Sequence, residues 1–370
     1  MEELFVNPRH GAPGMVVLPE GGFRRARAEI TAWPGYAPTP LRAVAPGVWW
    51  KDESARFGLR SFKALGGAYA VLRCLQMQLA RAGVPGVVDG AALEAGLHGA
   101  AAGRITVACA TDGNHGRSVA WGARRFGARC VIFVHHGVSQ GRRDAIAAYG
   151  AEVREVRGTY DDSVREAQRV AEAEGWHVIS DTSYPGYTEP PREVMQGYRL
   201  MAEEALAQMP EPPTHAFVPG GVGGVAAAVS VQLRRDAPGC RLVVAEPDRA
   251  ACLLASARAG ALTAVAGELD TVMAGLACGE PSLLAWQELE RAAFAFVAVP
   301  DAGVPGAMRR LKAQGVEAGE SAVAALLALE AAQARPDWAA ALGLGPESRV
   351  LLFGTEGATD PELYQRLTAA

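Results

Sequence analysis

Only three of the 36 basic residues in this 370-residue chain are lysines: Lys51, Lys63 and Lys312. The chain is also rich in alanine, glycine and proline, so nucleotide composition explains part of the bias. Chemistry that needs a deprotonatable primary amine cannot use arginine, however, and each lysine is a candidate for it. Lys63 lies in Ser61-Phe-Lys-Ala-Leu-Gly-Gly, just before a helix predicted over 68–79. A cation is mildly disfavoured at the positive end of a helix dipole. With Phe62 and Leu65 beside it, that environment lowers an amine pKa, as a Schiff-base lysine requires. The plainer reading is a solvated side chain at a helix start.

Three further segments sit where chemistry is usually placed. Gly220-Gly-Val-Gly-Gly follows an apolar run and opens a predicted helix. Backbone N–H groups there can close round a dianionic phosphate, with the helix dipole adding to the attraction. The spacing is not Gly-x-Gly-x-x-Gly, so an anion cradle fits better than a dinucleotide fingerprint. Thr111-Asp-Gly-Asn-His-Gly joins another strand end to a helix; Asp112 and Asn114 also suit a turn or a cap, and His115 a packing position. Gly354-Thr-Glu-Gly-Ala-Thr-Asp follows the last predicted strand and puts Thr355 at a third such edge.

These segments need a scaffold, and the pattern supplies one. From residue 104 short apolar runs alternate with amphipathic ones: strands over 104–110, 130–134, 152–156 and 176–180, helices over 115–126, 140–149 and 160–174. This is the βαβ pattern of a parallel sheet. A second series has strands over 214–219, 241–246, 294–299 and 349–354, with helices over 193–209, 225–235, 250–258 and 320–334. The reading is an α/β fold of two open, twisted, mostly parallel sheet domains flanked by helices. Residues 1–75 and 184–370 form a large cofactor-binding domain and 76–183 a small one. Ligands in such sheets bind beyond the carboxyl ends of the strands.

Composition narrows the function classes. Hydrophobic residues make up 49% and charged residues 21%, with a net charge of −4. That is globular composition, with no basic footprint for nucleic acid. No apolar run approaches the ~20 residues of a membrane span, and the acidic start Met1-Glu-Glu-Leu does not read as a signal peptide. Six cysteines without Cys-x-x-Cys spacing or paired histidines predict no metal site and reduced thiols in the cytoplasm.

Together the motifs carry a resemblance. Ser61-Phe-Lys, Gly113-Asn-His-Gly, the glycine cradle and Thr355-Glu-Gly look like those of the fold-type-II pyridoxal-phosphate enzymes, the family of threonine dehydratase, cysteine synthase and the tryptophan synthase β subunit. Within it, Tyr160-Asp-Asp, Met195-Gln-Gly-Tyr, Met273-Ala-Gly-Leu-Ala-Cys-Gly-Glu-Pro, Gly319-Glu-Ser-Ala and Thr355-Glu-Gly-x-Thr-Asp resemble the diaminopropionate ammonia-lyases. The match runs from about residue 36 to the end. The resemblance implies pyridoxal 5'-phosphate as cofactor and an amino acid as substrate. Lys63 would hold the cofactor covalently. Gly220, Gly221, Val222, Gly223 and Gly224 would bind its phosphate, Asn114 its phenolic oxygen and Thr355 its pyridine nitrogen. It further implies a homodimer, and a cleft at which Cys252 and Cys278 approach each other.

The implied reaction is β-elimination of 2,3-diaminopropionate to pyruvate and ammonia. Thr111, Asp112, Gly113 and Asp181 are its expected substrate contacts. Asp112 stands where relatives acting on serine or threonine usually carry a small residue. A carboxylate there either pairs with a β-ammonium group or acts as a second base on the face opposite Lys63, which would admit both the D and L isomers. Asp181, at the end of the predicted strand 176–180, adds a carboxylate at the cleft mouth or caps a turn. The rival readings are a serine/threonine dehydratase of the same fold and a non-catalytic protein that binds the cofactor.

Overall fold

Two sheets of unequal size organise the chain. The structure, a computed structural model, describes residues 2–111, 113–158 and 160–369, with backbone only at 161. Its strands are β1 (Glu3–Val6), β2 (Leu41–Ala45), β3 (Val48–Asp52), β4 (Thr106–Ala110), β5 (Arg129–His135), β6 (Glu152–Val156), β7 (His177–Val178), β8 (His215–Pro219), β9 (Arg241–Pro247), β10 (Ala295–Val299) and β11 (Val350–Gly354). The larger sheet runs β1-β10-β9-β8-β11-β3-β2 and the smaller β6-β5-β4-β7. Among the strands of the described residues, only the outer β1 and β2 pair antiparallel.

The apolar runs explain this arrangement. In β8, β10 and β11 every residue is buried, as in strands covered by helices on both faces. Register follows from these runs: Leu352 of β11 lies between Trp50 of β3 and Phe217 of β8, and Val107 of β4 lies against Cys130 of β5. The edge strand β6 is only half buried. All four strands of the smaller sheet fall within 106–178, and the seven of the larger sheet fall outside it. Among the described residues no helix is long and apolar enough to cross a membrane.

One apolar core joins the two sheets. It includes Val107 and Ile132 from the smaller sheet, Val218 and Val244 from the larger, and Leu65, Tyr69 and Leu72 from the helix Lys63–Arg81. That helix packs against Asn114–Phe126 on one side and Glu189–Gln208 on the other. Ser118 grips its first turn, donating through Oγ to Lys63 O (2.6 Å) and accepting from Ala68 N (3.1 Å). The helix begins at Lys63, five residues before the start expected from the apolar periodicity. Ala64, Gly66 and Gly67 are all buried there, so no polar face marks the first turn.

The structure also separates the three lysines. Lys51 is wholly buried and donates to Glu204 Oε2 (2.8 Å), Thr39 O (2.7 Å) and Gln208 Oε1 (3.0 Å). Arg56 shares this network through Glu53 Oε1 (2.8 Å) and Glu204 Oε2 (2.7 Å). The network ties the short 3-10 segment Glu53–Gly58, which leads to Lys63, onto the helix Glu189–Gln208. A buried charge cluster of this kind fixes geometry more than it adds stability. Lys312 meets Thr368 Oγ1 at 3.1 Å. Lys63 alone points into a cavity.

Candidate active site

The cavity lies where the two sheets face each other. Its lining includes Phe62, Lys63, Thr111, Gly113, Asn114, Asp181, Gly221, Val222, Gly223, Gly224 and Thr355. Segments far apart in sequence therefore meet at strand ends and helix starts. Asp112 lies outside the described residues.

Lys63 meets Asp181 across the cavity: Nζ is 2.5 Å from Asp181 Oδ2. Nζ also lies over the rings of Phe62 and Tyr198, at 5.3 and 5.8 Å from their centroids. Burial on its own pulls the amine pKa down, as the sequence led us to expect. The Asp181 carboxylate, with Tyr198 and Cys278 adding to it, more than offsets burial, and the net displacement is upward. The expected lowering is thus reversed by a partner 118 residues away. For Asp181, burial works against ionisation, but the Lys63 ammonium holds the carboxyl well below its usual range. His115 Nδ1 is 3.8 Å from Asp181 Oδ2, and its Nε2 is 2.8 Å from Ile179 O. Burial lowers the imidazole pKa, so the ring is neutral at pH 7. With Nε2–H on the carbonyl, Nδ1 presents a lone pair towards Asp181.

The glycine segment has the chemistry of a phosphate site. Gly223 has φ +94°, a left-handed conformation natural only to glycine, and it caps the helix Gly224–Asp236. Among the described residues no acceptor is assigned to the N–H groups of Gly221, Val222, Gly223 and Gly224. A buried helix start with unsatisfied donors calls for an anion. Gly220 does not belong to this set. It is absent from the cavity wall, and its N–H is taken by Ala245 O at 2.7 Å, so it continues the β8 ladder. The cradle is therefore 221–224.

Glu246 lies behind the cradle. It is fully buried, accepts from Leu253 N and Leu254 N at 2.8 Å each, and burial pushes its pKa up to about 8 despite those bonds. A carboxyl neutral at pH 7 does not oppose a phosphate in front of it. Its unfolded pKa is ~4.3. Between that value and about 8 the unfolded chain releases a proton that the folded chain keeps, so stability falls as pH rises across that window. Glu246→Gln should therefore gain on the natural enzyme as pH is raised from 5 to 9. Urea midpoints of the two proteins that stay parallel over that range would exclude this.

Both Cys252 and Cys278 flank Gly221. Cys252 Sγ is 3.5 Å from Gly221 O, and a Cβ on Gly221 would lie 3.2 Å from Cys278 Sγ. Among the described residues no disulfide is formed. Burial, then Glu246, pushes the Cys252 thiol pKa up, which makes it a poor nucleophile.

Among the polar residues of the wall that were not singled out from sequence are Glu356, Glu320 and Arg142. Glu356 Oε2 accepts from Asn114 Nδ2 (2.5 Å) and its Oε1 from Ser321 N (3.1 Å), so it orients the Asn114 amide. Glu320 is buried, and burial, then Glu356, raises its pKa to about 8. Arg142, on the helix Gln140–Ala147, reaches Glu320 Oε1 (3.1 Å) and Asp360 Oδ2 (3.7 Å) across the cleft. The two glutamates lie inside motifs that carry the resemblance. Arg142 gave no signal, since an arginine on an exposed helix is ordinary. Thr355 is buried, and its carbonyl accepts from Phe62 N at 3.0 Å.

The residues present suit pyridoxal phosphate: a lysine amine in the cavity, an anion cradle, an oriented amide at Asn114 and a hydroxyl at Thr355. Known proteins agree. The family described as pyridoxal-phosphate dependent enzyme matches residues 32–355. The diaminopropionate ammonia-lyase of Escherichia coli (strain K12) is 37% identical over 356 residues, covering 90% of this chain and 87% of that one. That of Salmonella typhimurium (strain LT2) is 36% identical over 359 residues, covering 90% and 88%. Crystal structures of the Escherichia coli enzyme superpose closely. The holo form has a TM-score of 0.90 and 34% identity, covering 100% of this chain and 96% of that one. The form with an aminoacrylate-PLP azomethine reaction intermediate has a TM-score of 0.88 and 34% identity, covering 100% and 97%. The chain belongs to the pyridoxal-phosphate-dependent enzyme family and groups there with the diaminopropionate ammonia-lyases.

Proposed function

We propose that this chain eliminates the β-amine of 2,3-diaminopropionate, giving ammonia and an aminoacrylate that hydrolyses to pyruvate and a second ammonia, and that it accepts both isomers. The observation that carries this reading is the acidic wall around Lys63. Carboxyl oxygens of Asp181, Glu320 and Glu356, which can accept from a second ammonium group, line the cavity beside the cations Lys63 and Arg142. A substrate with a second ammonium group suits that wall better than one with a neutral hydroxymethyl group.

Bound pyridoxal phosphate supplies the electron sink for the carbanion formed at Cα. The chain's residues supply the rest. The N–H groups of 221–224 would hold the phosphate, and Glu356 holds the Asn114 amide that would meet the cofactor's phenolic oxygen. Thr355 offers a hydroxyl, not a carboxylate, to the pyridine nitrogen. Lys63, once its amine is free, takes the α-proton of the L isomer. Asp112 takes that of the D isomer from the opposite face. Thr111 and Gly113 position the substrate carboxylate beside them. The division into 1–75 with 184–370 and 76–183 places this chemistry between two domains. Function as a cytoplasmic homodimer completes the proposal, and a 38.7 kDa species alone in sedimentation at assay concentration would count against the dimer.

Release of the 2-oxo acid tests the assignment: pyruvate from D- and L-diaminopropionate and D- and L-serine, 2-oxobutanoate from L-threonine. Both diaminopropionate isomers should lead in kcat/KM; serine or threonine in the lead would make the chain a dehydratase. Asp112→Asn changes charge and basicity with little change of shape. D-isomer turnover should fall by about 10²-fold or more while the L isomer keeps most of its own. Parallel rises in KM for both isomers would make Asp112 a partner of the β-ammonium group instead.

A further inference from the structure

Met195-Gln-Gly-Tyr lies inside the helix Glu189–Gln208, away from the strand ends and helix starts that supply the rest of the site. Glycines bring it to Lys63. A Cβ on Gly197 would overlap Leu65 O, and one on Gly66 would overlap Tyr198 Cε1. Neither position has room for a side chain, so this helix and Lys63–Arg81 cross in close backbone contact. The crossing lays the Tyr198 ring beside the first turn of the lysine helix. Its centroid is 4.6 Å from that of Phe62 and 5.8 Å from Lys63 Nζ.

Tyr198 is 1% exposed, and its hydroxyl is among the buried polar atoms of the described residues that have no hydrogen-bond partner. A phenylalanine would pack in the same way without leaving a polar atom unmatched. Packing therefore accounts for the ring and not for the oxygen. The oxygen is covered, so it meets no free ligand; what reaches it is a neighbouring side chain that moves. Lys63 is that neighbour. Its ammonium group pulls the phenol pKa down against the burial that raises it, and Tyr198 in turn helps to hold the amine pKa up. Asp181, Cys278 and His115 are the other ionisable groups around the amine.

We propose that Tyr198 is a positioning residue for the Lys63 amine: its hydroxyl completes the seat that Asp181 begins, and holds the amine whenever it is not bonded to the cofactor. An ammonium group has three N–H donors. Asp181 Oδ2 takes one of them at 2.5 Å, and a small turn of the lysine side chain gives a second to Tyr198 Oη. Burial keeps the phenol protonated, so Tyr198 carries no proton away. It stabilises the ammonium ion that forms as the α-proton arrives, and it directs the lone pair of the neutral amine. The consequence for turnover depends on Lys63 being the base for the L isomer.

Tyr198→Phe keeps the ring and removes only the oxygen. The cofactor is stripped from the holoenzyme and returned over a series of pH values, with absorbance reading its uptake. Without the hydroxyl the ammonium form is less favoured, and the midpoint of uptake should move down by about one pH unit. In the loaded enzyme kcat for the L isomer should fall about tenfold with KM little changed, while the D isomer keeps most of its own. Uptake involves no diaminopropionate, so that arm supports or refutes the seat whatever the substrate is. A shifted midpoint with equal losses on both isomers keeps the seat and removes Lys63 as the base of the L isomer alone. If the hydroxyl only fills space, Tyr198→Phe should melt higher than the natural enzyme, with uptake and both turnovers unchanged, which overturns the proposal. An unshifted midpoint with equal losses on both isomers overturns it too, because it marks a general loss of packing.

Discussion

Lys63→Ala should lose the covalent cofactor adduct and fall in turnover by about 10⁴-fold or more on either diaminopropionate isomer. General base catalysis alone is worth about 10²–10⁴, and the same amine also makes the covalent link. No neighbour can replace it. Lys51 is locked in a buried ion-pair network, and Lys312 is bound to Thr368. Lys63→Arg should fail nearly as completely, because a guanidinium keeps its charge and is no nucleophile. That pair of variants separates covalent chemistry from charge. Cofactor absorbance before and after borohydride is the readout, and a reducible adduct persisting in Lys63→Ala would remove Lys63 from its role.

The local parts of this site were legible in the sequence because each sits where a period changes. β8 gives way to the 221–224 cradle, β4 to 111–113, and β11 to Thr355. Strand ends and helix starts are readable from apolar runs and glycines. What could not be read is pairing across the cavity. Asp181 is 118 residues from Lys63, and nothing in either neighbourhood announces the 2.5 Å contact. The expected low amine pKa failed for that reason: the environment was judged from Phe62 and Leu65, and the decisive charge comes from elsewhere. Gly220 failed for a smaller reason. Four glycines in five positions look equivalent, but the first still obeys the sheet and gives its N–H to Ala245 O. The strands β2 and β3 also went unread. Val48-Trp-Trp-Lys-Asp carries two charges in a strand of the larger sheet. Lys51 is tolerated only because Glu204, Thr39 and Gln208 surround its ammonium group, and Asp52 because Ser54 N and Arg42 meet its carboxylate.

The contact that sequence could not supply also yields a sharp test. A buried amine that takes a proton from substrate ends as an ammonium ion, and a buried ammonium ion without a counter-charge is costly. Asp181 supplies that counter-charge. Asp181→Asn keeps the shape and removes the charge. Turnover of the L isomer should fall towards the upper part of the ~10²–10⁴ range, in kcat more than in KM, because the ammonium forms only as the proton moves. The D isomer, for which Asp112 is the proposed base, should fall less, the reverse of Asp112→Asn. A second readout needs no turnover. Asp181 is the main group opposing burial at Lys63, with Tyr198 and Cys278 adding to it, and without Asp181 the pKa drops from its raised value. Cofactor-free Asp181→Asn should then take up pyridoxal phosphate at a lower pH than the natural chain, since only the neutral amine reacts. Turnover and loading are thus expected to move in opposite directions. Loss of turnover with an unshifted loading pH would leave Asp181 as a substrate contact, and no change in either would return it to a turn cap.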